Sequence, residues 1–464
     1  MATEAIADER IKRLNDHETV DGQYVLYWMQ QSQRAECNHA LEYAIQRANA
    51  CGKRLLVCFG LTDSYPDANL RHYNFMLQGL VETEQALRER GIRFVVRIGD
   101  PAEVAVELSR DAAEVVCDRG YLRHQRQWRR TVAQNAHCPV WQVEADTIVP
   151  VETASDKVEY AARTIRPKLN KLRDRFTHVV TPTSLEKDSR DLSVRGADLS
   201  NIGALLNDMS VDGNVGPLED FKGGTAEAQK RLKSFISNSL SAYDDRTDIL
   251  QAQVSRLSPY LHFGQISPLQ VAAEIASSRG HRKESKESFL EELLVRRELA
   301  INCVQFHREY DSLRCLPDWA IKTLDEHESD ERPYHYTASE LEQAETHDSA
   351  WNAAMIQMRA EGYLHNHMRM YWGKKIIEWT NTIQHAYRVT LELNNRYFLD
   401  GRDPNSYANV AWLFGLHDRA HQEREVFGKV RYMSEGGLRR KFDVDEYVRH
   451  VADKHQIEIK GCSD

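Results

Sequence analysis

Between residues 22 and 150 short apolar runs alternate with stretches in which apolar positions recur every three or four residues. Residues 24–28, 54–60, 93–98, 114–118 and 140–143 are rich in β-branched and aromatic side chains and predict strands. The intervening 34–50, 70–90, 101–109 and 123–136 have helical spacing. Five strands alternating with helices predict a doubly wound parallel five-stranded sheet over 22–150. No Gly-x-Gly-x-x-Gly follows the first strand, so the dinucleotide fingerprint of dehydrogenases is missing, and the crevice at the switch point could take a small chromophore instead.

After residue 150 the pattern breaks down around Pro167, Pro182, Pro217 and the glycines at 213, 216, 223 and 224, which predicts a linker over 151–224. Helical spacing then dominates, at 227–243, 269–278, 286–307, 348–361 and 365–380, so residues 225–464 are expected to form an all-helical domain. Residues 1–21 mix charges without an apolar core and are expected to be disordered.

Composition narrows the class. With 464 residues and 41% hydrophobic content the chain can bury more than one core, and no apolar run approaches a membrane span. An intracellular, monomeric protein is the expectation. The eight cysteines include no Cys-x-x-Cys pair, so neither zinc nor a disulfide framework is expected. A net charge of −9 argues against a surface coated for nonspecific DNA binding but permits a local basic face.

Three segments carry chemistry. The first is Ser255-Arg256-Leu257-Ser258-Pro259, a serine-rich helix start that would suit phosphate; alone it reads as ordinary capping. The second is Leu364-His365-Asn366-His367-Met368-Arg369-Met370-Tyr371-Trp372, and the third Asn394-Asn395-Arg396-Tyr397-Phe398-Leu399-Asp400-Gly401-Arg402-Asp403-Pro404. An S-R-L-S-P segment, an H-N-x-x-R-M helix and a D-G-R-D-P loop, in this order after an α/β half, resemble the photolyase and cryptochrome family. The D-G-R-D-P loop, Tyr371-Trp372, and the tail His417-Asp418-Arg419 with Gly428-Lys429-Val430-Arg431-Tyr432-Met433 are similar to class II cyclobutane-dimer photolyases.

The resemblance implies FAD in the helical domain and, as substrate, DNA carrying UV-induced cyclobutane pyrimidine dimers repaired by light-driven electron transfer. It places Tyr243, Ser255, Arg256, Leu257, Ser258, Asn366, Arg369 and Asp400 around the flavin, with Asn394 facing its reactive N5 edge. A buried arginine needs a carboxylate partner, and Arg369 with Asp400 fits that need, although a purely structural ion pair is the commoner outcome. Glu292 would contact the dimer, with Glu291 the alternative register, and Met370 and Trp412 would wall the pocket for the flipped-out lesion. Arg419, His421 and Arg431 would meet DNA, His421 standing where some class II members have a tryptophan. Trp372, Trp351 and Trp379 would relay electrons to the flavin, as proximal donor, outer donor and branch respectively; ordinary core packing is the competing account.

Three other activities stay open, one of them a flavin oxidoreductase acting on a soluble substrate, against which the missing dinucleotide fingerprint counts. A cryptochrome-like photoreceptor would share the flavin, though the chain ending soon after the last motif argues against a signalling tail. Repair of the six-four photoproduct is associated with pocket histidines, for which His365 and His367 are candidates. The basic run 123–130 is expected to be a solvated helix face or the border of an antenna pocket.

Overall fold

In the strand Tyr24–Met29 every side chain is buried. Val25, Tyr27 and Met29 enter one apolar core, and Tyr24, Leu26 and Trp28 enter the other. A strand covered by helices on both faces reads as a continuous apolar run, as this one does. The computed structural model describes residues 6–245, 249–250 and 253–461. Strands β1 (Ile11–Arg13), β2 (Tyr24–Met29), β3 (Arg54–Leu61), β4 (Arg93–Ile98), β5 (Ala112–Asp118) and β6 (Val140–Val143) lie in the order β1-β6-β5-β2-β3-β4. Neighbours from β6 to β4 are parallel.

Helices α1 (His39–Ala50), α2 (Leu70–Glu89), α3 (Pro101–Ser109) and α4 (Arg123–Asn135) provide the crossovers. Each begins with local chemistry, as where Asn38 accepts the N–H groups of Ala40 and Leu41 at 3.0 and 3.2 Å. The chain runs from β2 outward to β4 and returns to β5 on the other side of β2, so the switch point lies between β2 and β5.

The doubly wound parallel sheet is as the pattern implied, with one addition. Residues 11–13, inside the segment expected to be disordered, form β1 and pair antiparallel with β6, Ile11 opposite Val143. Arg10, almost fully buried, anchors this arm by donating to the carbonyls of Glu144, Thr147, Ile148 and Phe176 at 2.7–3.3 Å. A single apolar residue followed by Lys12 and Arg13 is too short to show an apolar pattern, which is why the strand escapes it.

The chain condenses into two units. One takes the chain to Asp156 together with Arg166–Ile236 and Arg256–Gly280. It includes α5 (Ser258–His262) and α6 (Pro268–Ser277), fixed to the sheet by Arg34 donating to the Gly264 carbonyl at 2.9 Å and Gln31 donating to that of His262 at 2.5 Å. The stretch expected as a linker contains helices Val151–Ala154, Ala162–Phe176 and Ile202–Asn207.

The other unit comprises Lys157–Ile165, Ser237–Ser255 and the chain from His281 onward. Its helices include α7 (Lys283–Leu290), α8 (Arg297–Phe306), α9 (Asp318–Glu326), α10 (Ser349–Glu361), α11 (Asn366–Trp379), α12 (Ile383–Tyr397) and α13 (Pro404–Leu413). The continuous helix expected over 286–307 is instead interrupted by a π-helical turn, Glu291–Arg296, whose closing N–H, from Arg297, reaches back to Glu292. Among the described residues no helix is long and apolar enough to cross a membrane.

Candidate functional site

The Asp-Gly-Arg-Asp-Pro loop is a tight return that brings sequence-distant groups together. Gly401 makes it feasible: a Cβ there would stand 2.9 Å from the Asn394 carbonyl oxygen and 3.0 Å from that of Phe398. On one side Asp403 caps α13 by accepting the Ser406 N–H at 2.9 Å. On the other, Asp400 receives Arg369 of α11 in a two-pronged pair, 3.0 Å from Nη1 and 3.1 Å from Nη2. The guanidinium lies over the Phe398 ring at 3.8 Å, and about a quarter of the arginine side chain stays exposed. It therefore keeps surface for a further partner.

Asn394, nearly buried at the end of α12, donates through Nδ2 to Asn395 Oδ1 at 3.1 Å. That oxygen also accepts the Arg402 N–H at 3.0 Å. A group accepting a backbone N–H is the amide oxygen, so the atom Asn394 presents to it is its nitrogen, and the Asn394 oxygen is turned elsewhere as an acceptor. A reduced flavin, with an N–H at N5 and negative charge on its ring, fits such an acceptor near a partly open guanidinium.

The other expected flavin contacts are distributed. Tyr243 lies in the 3-10 segment Leu240–Asp245, beyond the helix expected to hold it, edge-on to Phe289 at 5.3 Å. Asn366 is the first residue of α11 and is exposed. Ser255 belongs to the helical unit, whereas Arg256, Leu257 and Ser258 group with the sheet. Arg256 takes a left-handed backbone, φ 52°, a conformation that costs a non-glycine residue on the order of 1 kcal/mol and concentrates at functional sites.

Glu291 and Glu292 open the π turn, and both are half-buried. Such turns are rare and occur often at functional sites, because the extra residue re-aims the side chains around it. Glu291 reaches Arg296 at 3.3 Å.

Trp351, Trp372 and Trp379 are all essentially buried. Trp351 donates its indole N–H to the Trp372 carbonyl at 2.8 Å and lies 5.5 Å from Trp379. The Trp372 indole nitrogen has no hydrogen-bond partner among the described residues. Trp351, expected as the outer member, is itself wholly enclosed. Contacts toward the surface instead leave Trp379 for Tyr336 and His347, at 5.4 and 5.3 Å, and His347 stacks at 3.6 Å on exposed Tyr334. Tyr336 Oη lies 2.7 Å from His347 Nδ1.

Met370 and Trp412 are half-buried on α11 and α13. Trp412 lies within 5.7 Å of the Arg431 guanidinium. Arg431 in turn pairs with Asp418 through both oxygens, at 2.8 and 3.1 Å, and Asp418 has His421 3.5 Å away. Arg419 is exposed. Two residues that sequence reasoning passed over stand beside these. Lys374 is buried under Trp412, in a run (Tyr371-Trp372-Gly373-Lys374-Lys375-Ile376-Ile377) whose apolar flanks were the available signal. His327 bridges Asp330 at 2.6 Å and Glu423 at 3.2 Å, and these bonds raise it above the ordinary imidazole value.

At the carboxyl ends of the strands, Asp118 of β5 accepts the N–H groups of Gln30, Gln31 and Ser32 at 2.9–3.1 Å; burial raises it to about 6. Nearby α4 is only partly the solvated face expected of it. Arg129 turns inward and donates to Gln142 at 3.0 Å, and His124 packs edge-on against Tyr65 at 4.7 Å. The side-chain amide of Gln30 and the His124 Nε2 are buried without hydrogen-bond partners among the described residues.

Comparison with known proteins gives concordant matches. Residues 25–186 match the family model described as DNA photolyase. The deoxyribodipyrimidine photo-lyase of Methanothermobacter thermautotrophicus is 48% identical over 445 residues, covering 96% of this chain and 98% of that protein. That of Potorous tridactylus is 39% identical over 439 residues, 93% of this chain and 81% of that one. Among solved structures, a bacterial class III photolyase from Agrobacterium tumefaciens aligns with TM-score 0.72 at 17% identity, covering 95% of this chain and 88% of that one. A Synechocystis cryptochrome aligns with TM-score 0.73 at 15% identity, covering 93% and 89%.

Proposed function

Because the chain belongs to the DNA photolyase family, we propose that it repairs cyclobutane pyrimidine dimers in UV-damaged DNA as a class II enzyme, using light and FAD. The observation that carries this reading is the Arg369–Asp400 pair with the Asn394 amide oriented beside its loop. When bound, FAD supplies one electron to the dimer under excitation and takes it back after the ring opens. Arg369 holds negative charge at the flavin ring, Asp400 fixes the plane of the guanidinium, and the Asn394 oxygen accepts a proton donor. Glu292, when its carboxyl carries a proton, donates to a dimer carbonyl oxygen, and Met370 and Trp412 pack against the extruded bases. Arg419, His421 and Arg431 meet the DNA. The Trp372, Trp351 and Trp379 set serves flavin reduction. Gln30, His124 and Tyr65, beyond the strand ends, support an antenna chromophore at the sheet switch point.

The test is a repair assay on oligonucleotides carrying one cyclobutane dimer or one six-four photoproduct. Blue light should restore only the former, and darkness should restore neither. The cryptochrome reading, favoured by the Synechocystis likeness, expects flavin photoreduction with no repair of either lesion.

A further inference from the structure

Lysine is seldom buried completely, because its ammonium loses hydration that one carbonyl cannot replace. Lys374, in α11, has no exposure, and its one hydrogen-bond partner among the described residues is the main-chain oxygen of Leu413. Leu413 ends α13, where carbonyls lack helical donors. The N–H groups of Phe414 and Gly415 turn back to Ala411 and Trp412, leaving the Leu413 oxygen to the lysine. Gly373 makes the close approach feasible: a Cβ there would stand 2.3 Å from Leu413 Cδ1. The Lys374 nitrogen is also 5.6 Å from the centre of the Trp412 indole, the ring that Arg431 approaches at 5.7 Å.

We propose that Lys374 is a positioning residue: tied to the end of α13, it sets how firmly the Trp412 indole is held, according to whether its amine carries a proton. The claim that Trp412 meets the lesion rests on the photolyase reading; the coupling between Lys374 and Trp412 does not. A protonated amine makes a charge-assisted bond to the carbonyl and attracts the indole face, and a neutral one loses most of both. Burial brings Lys374 down from 10.5 to about 7, with Asp418 pulling it up and Arg431 pushing it further down. Both lie in the segment that follows α13, where Asp418 is paired with Arg431 at 2.8 Å and has the titratable His421 3.5 Å away. The indole is therefore held tightly at pH 6 and loosely at pH 8.

The FAD-loaded, full-length protein labelled with 5-fluorotryptophan provides the test, the Trp412 resonance being assigned by its loss in Trp412→Phe. Without DNA, that resonance should shift with pH, midpoint near 7. The shift should vanish in Lys374→Met, which fills the same space, and persist in His421→Asn. A Trp412 resonance flat from pH 5.5 to 8.5 in the unmutated protein overturns the proposal even if the Met variant fails to fold. Loss of the titration in His421→Asn overturns it too, by moving the proton to that imidazole. In the His421→Asn background, which removes the one imidazole assigned to DNA, affinity for a dimer-containing duplex at constant salt should be about fivefold weaker at pH 8 than at pH 6, a difference that adding Lys374→Met abolishes. A titrating indole with an affinity difference unchanged by Lys374→Met would support the coupling and overturn instead the assignment of Trp412 to the lesion pocket.

Discussion

Arg369 is attached at its head to Asp400 and along its plane to Phe398, while a quarter of it remains open. Partial exposure moderates the cost of breaking the pair, so Asp400→Ala should lose about 1–3 kcal/mol in denaturant unfolding, less than a fully buried ion would. It should also purify with less FAD, read from flavin absorbance, and Asp400→Asn should fall between. An Asp400→Ala protein with normal flavin content and stability would remove the pair from the site. Trp372→Phe keeps an aromatic ring that is much harder to oxidise. The variant should bind FAD and fail to photoreduce it with an external reductant, yet repair dimers once the flavin is reduced chemically. Normal photoreduction would exclude Trp372 from the relay. Neither residue announces its role locally. Arg369 and Asp400 come together only because a loop folds back, and it was the resemblance of whole motifs that linked them. Lys374 was illegible because a lysine in a helix is ordinarily solvated, and only the packing of α11 on the end of α13 buries it.

A regular helix was legible over 286–307, but the π turn within it was not, since one inserted residue leaves the apolar content unchanged while rotating the faces that follow. That turn bears on the register left open in the sequence. With Glu292 assigned to the dimer, Glu292→Gln should lower repair yield several-fold, whereas Glu291→Gln, which gives up an ion pair to a largely exposed Arg296, should leave it nearly unchanged. The reverse order would exchange their roles. The segment after α13 is a second element with a consequence of its own. It is tied to the end of α9 by His327, by Val426 donating to Asp330 at 2.8 Å and by Lys429 donating to Thr323 at 3.0 Å. His327 is raised in the folded protein, so its contribution is complete below the unfolded imidazole value of about 6.5 and is lost as pH rises through the folded one. Asp330 and Glu423 are lowered by their bonds to His327, so theirs is present above about pH 4.5 and lost as pH falls through the folded values. Hydrogen exchange at the Val426 and Lys429 amides, corrected for intrinsic rate, should be slower at pH 6 than at pH 8. In His327→Gln the difference should disappear; its survival would assign the tether to other bonds.

At the scale of the chain, a net charge of −9 means that attraction to DNA has to come from cations gathered locally rather than from the surface as a whole. Arg419 is the plainest of them, so Arg419→Ala should weaken binding to dimer-containing duplex and reduce the salt dependence by about one phosphate contact, with an intact flavin spectrum. Unchanged affinity and slope would take it off the DNA surface. The division into two units does not follow the change of period near residue 225. Residues 256–280 have helical spacing like the rest of the second half, yet they cluster with the sheet, because Arg34 and Gln31 hold their backbone from across the sequence. The amino-terminal arm carries a consequence in time. A ribosome makes Ile11 well before its partner Val143, which emerges only on the order of ten seconds later at typical elongation rates. During that interval the strand that will close one edge of the sheet has nothing to pair with. Lys12 and Arg13 keep it soluble and deter other chains from pairing with it, so the charges that hid β1 in the sequence also protect it during synthesis.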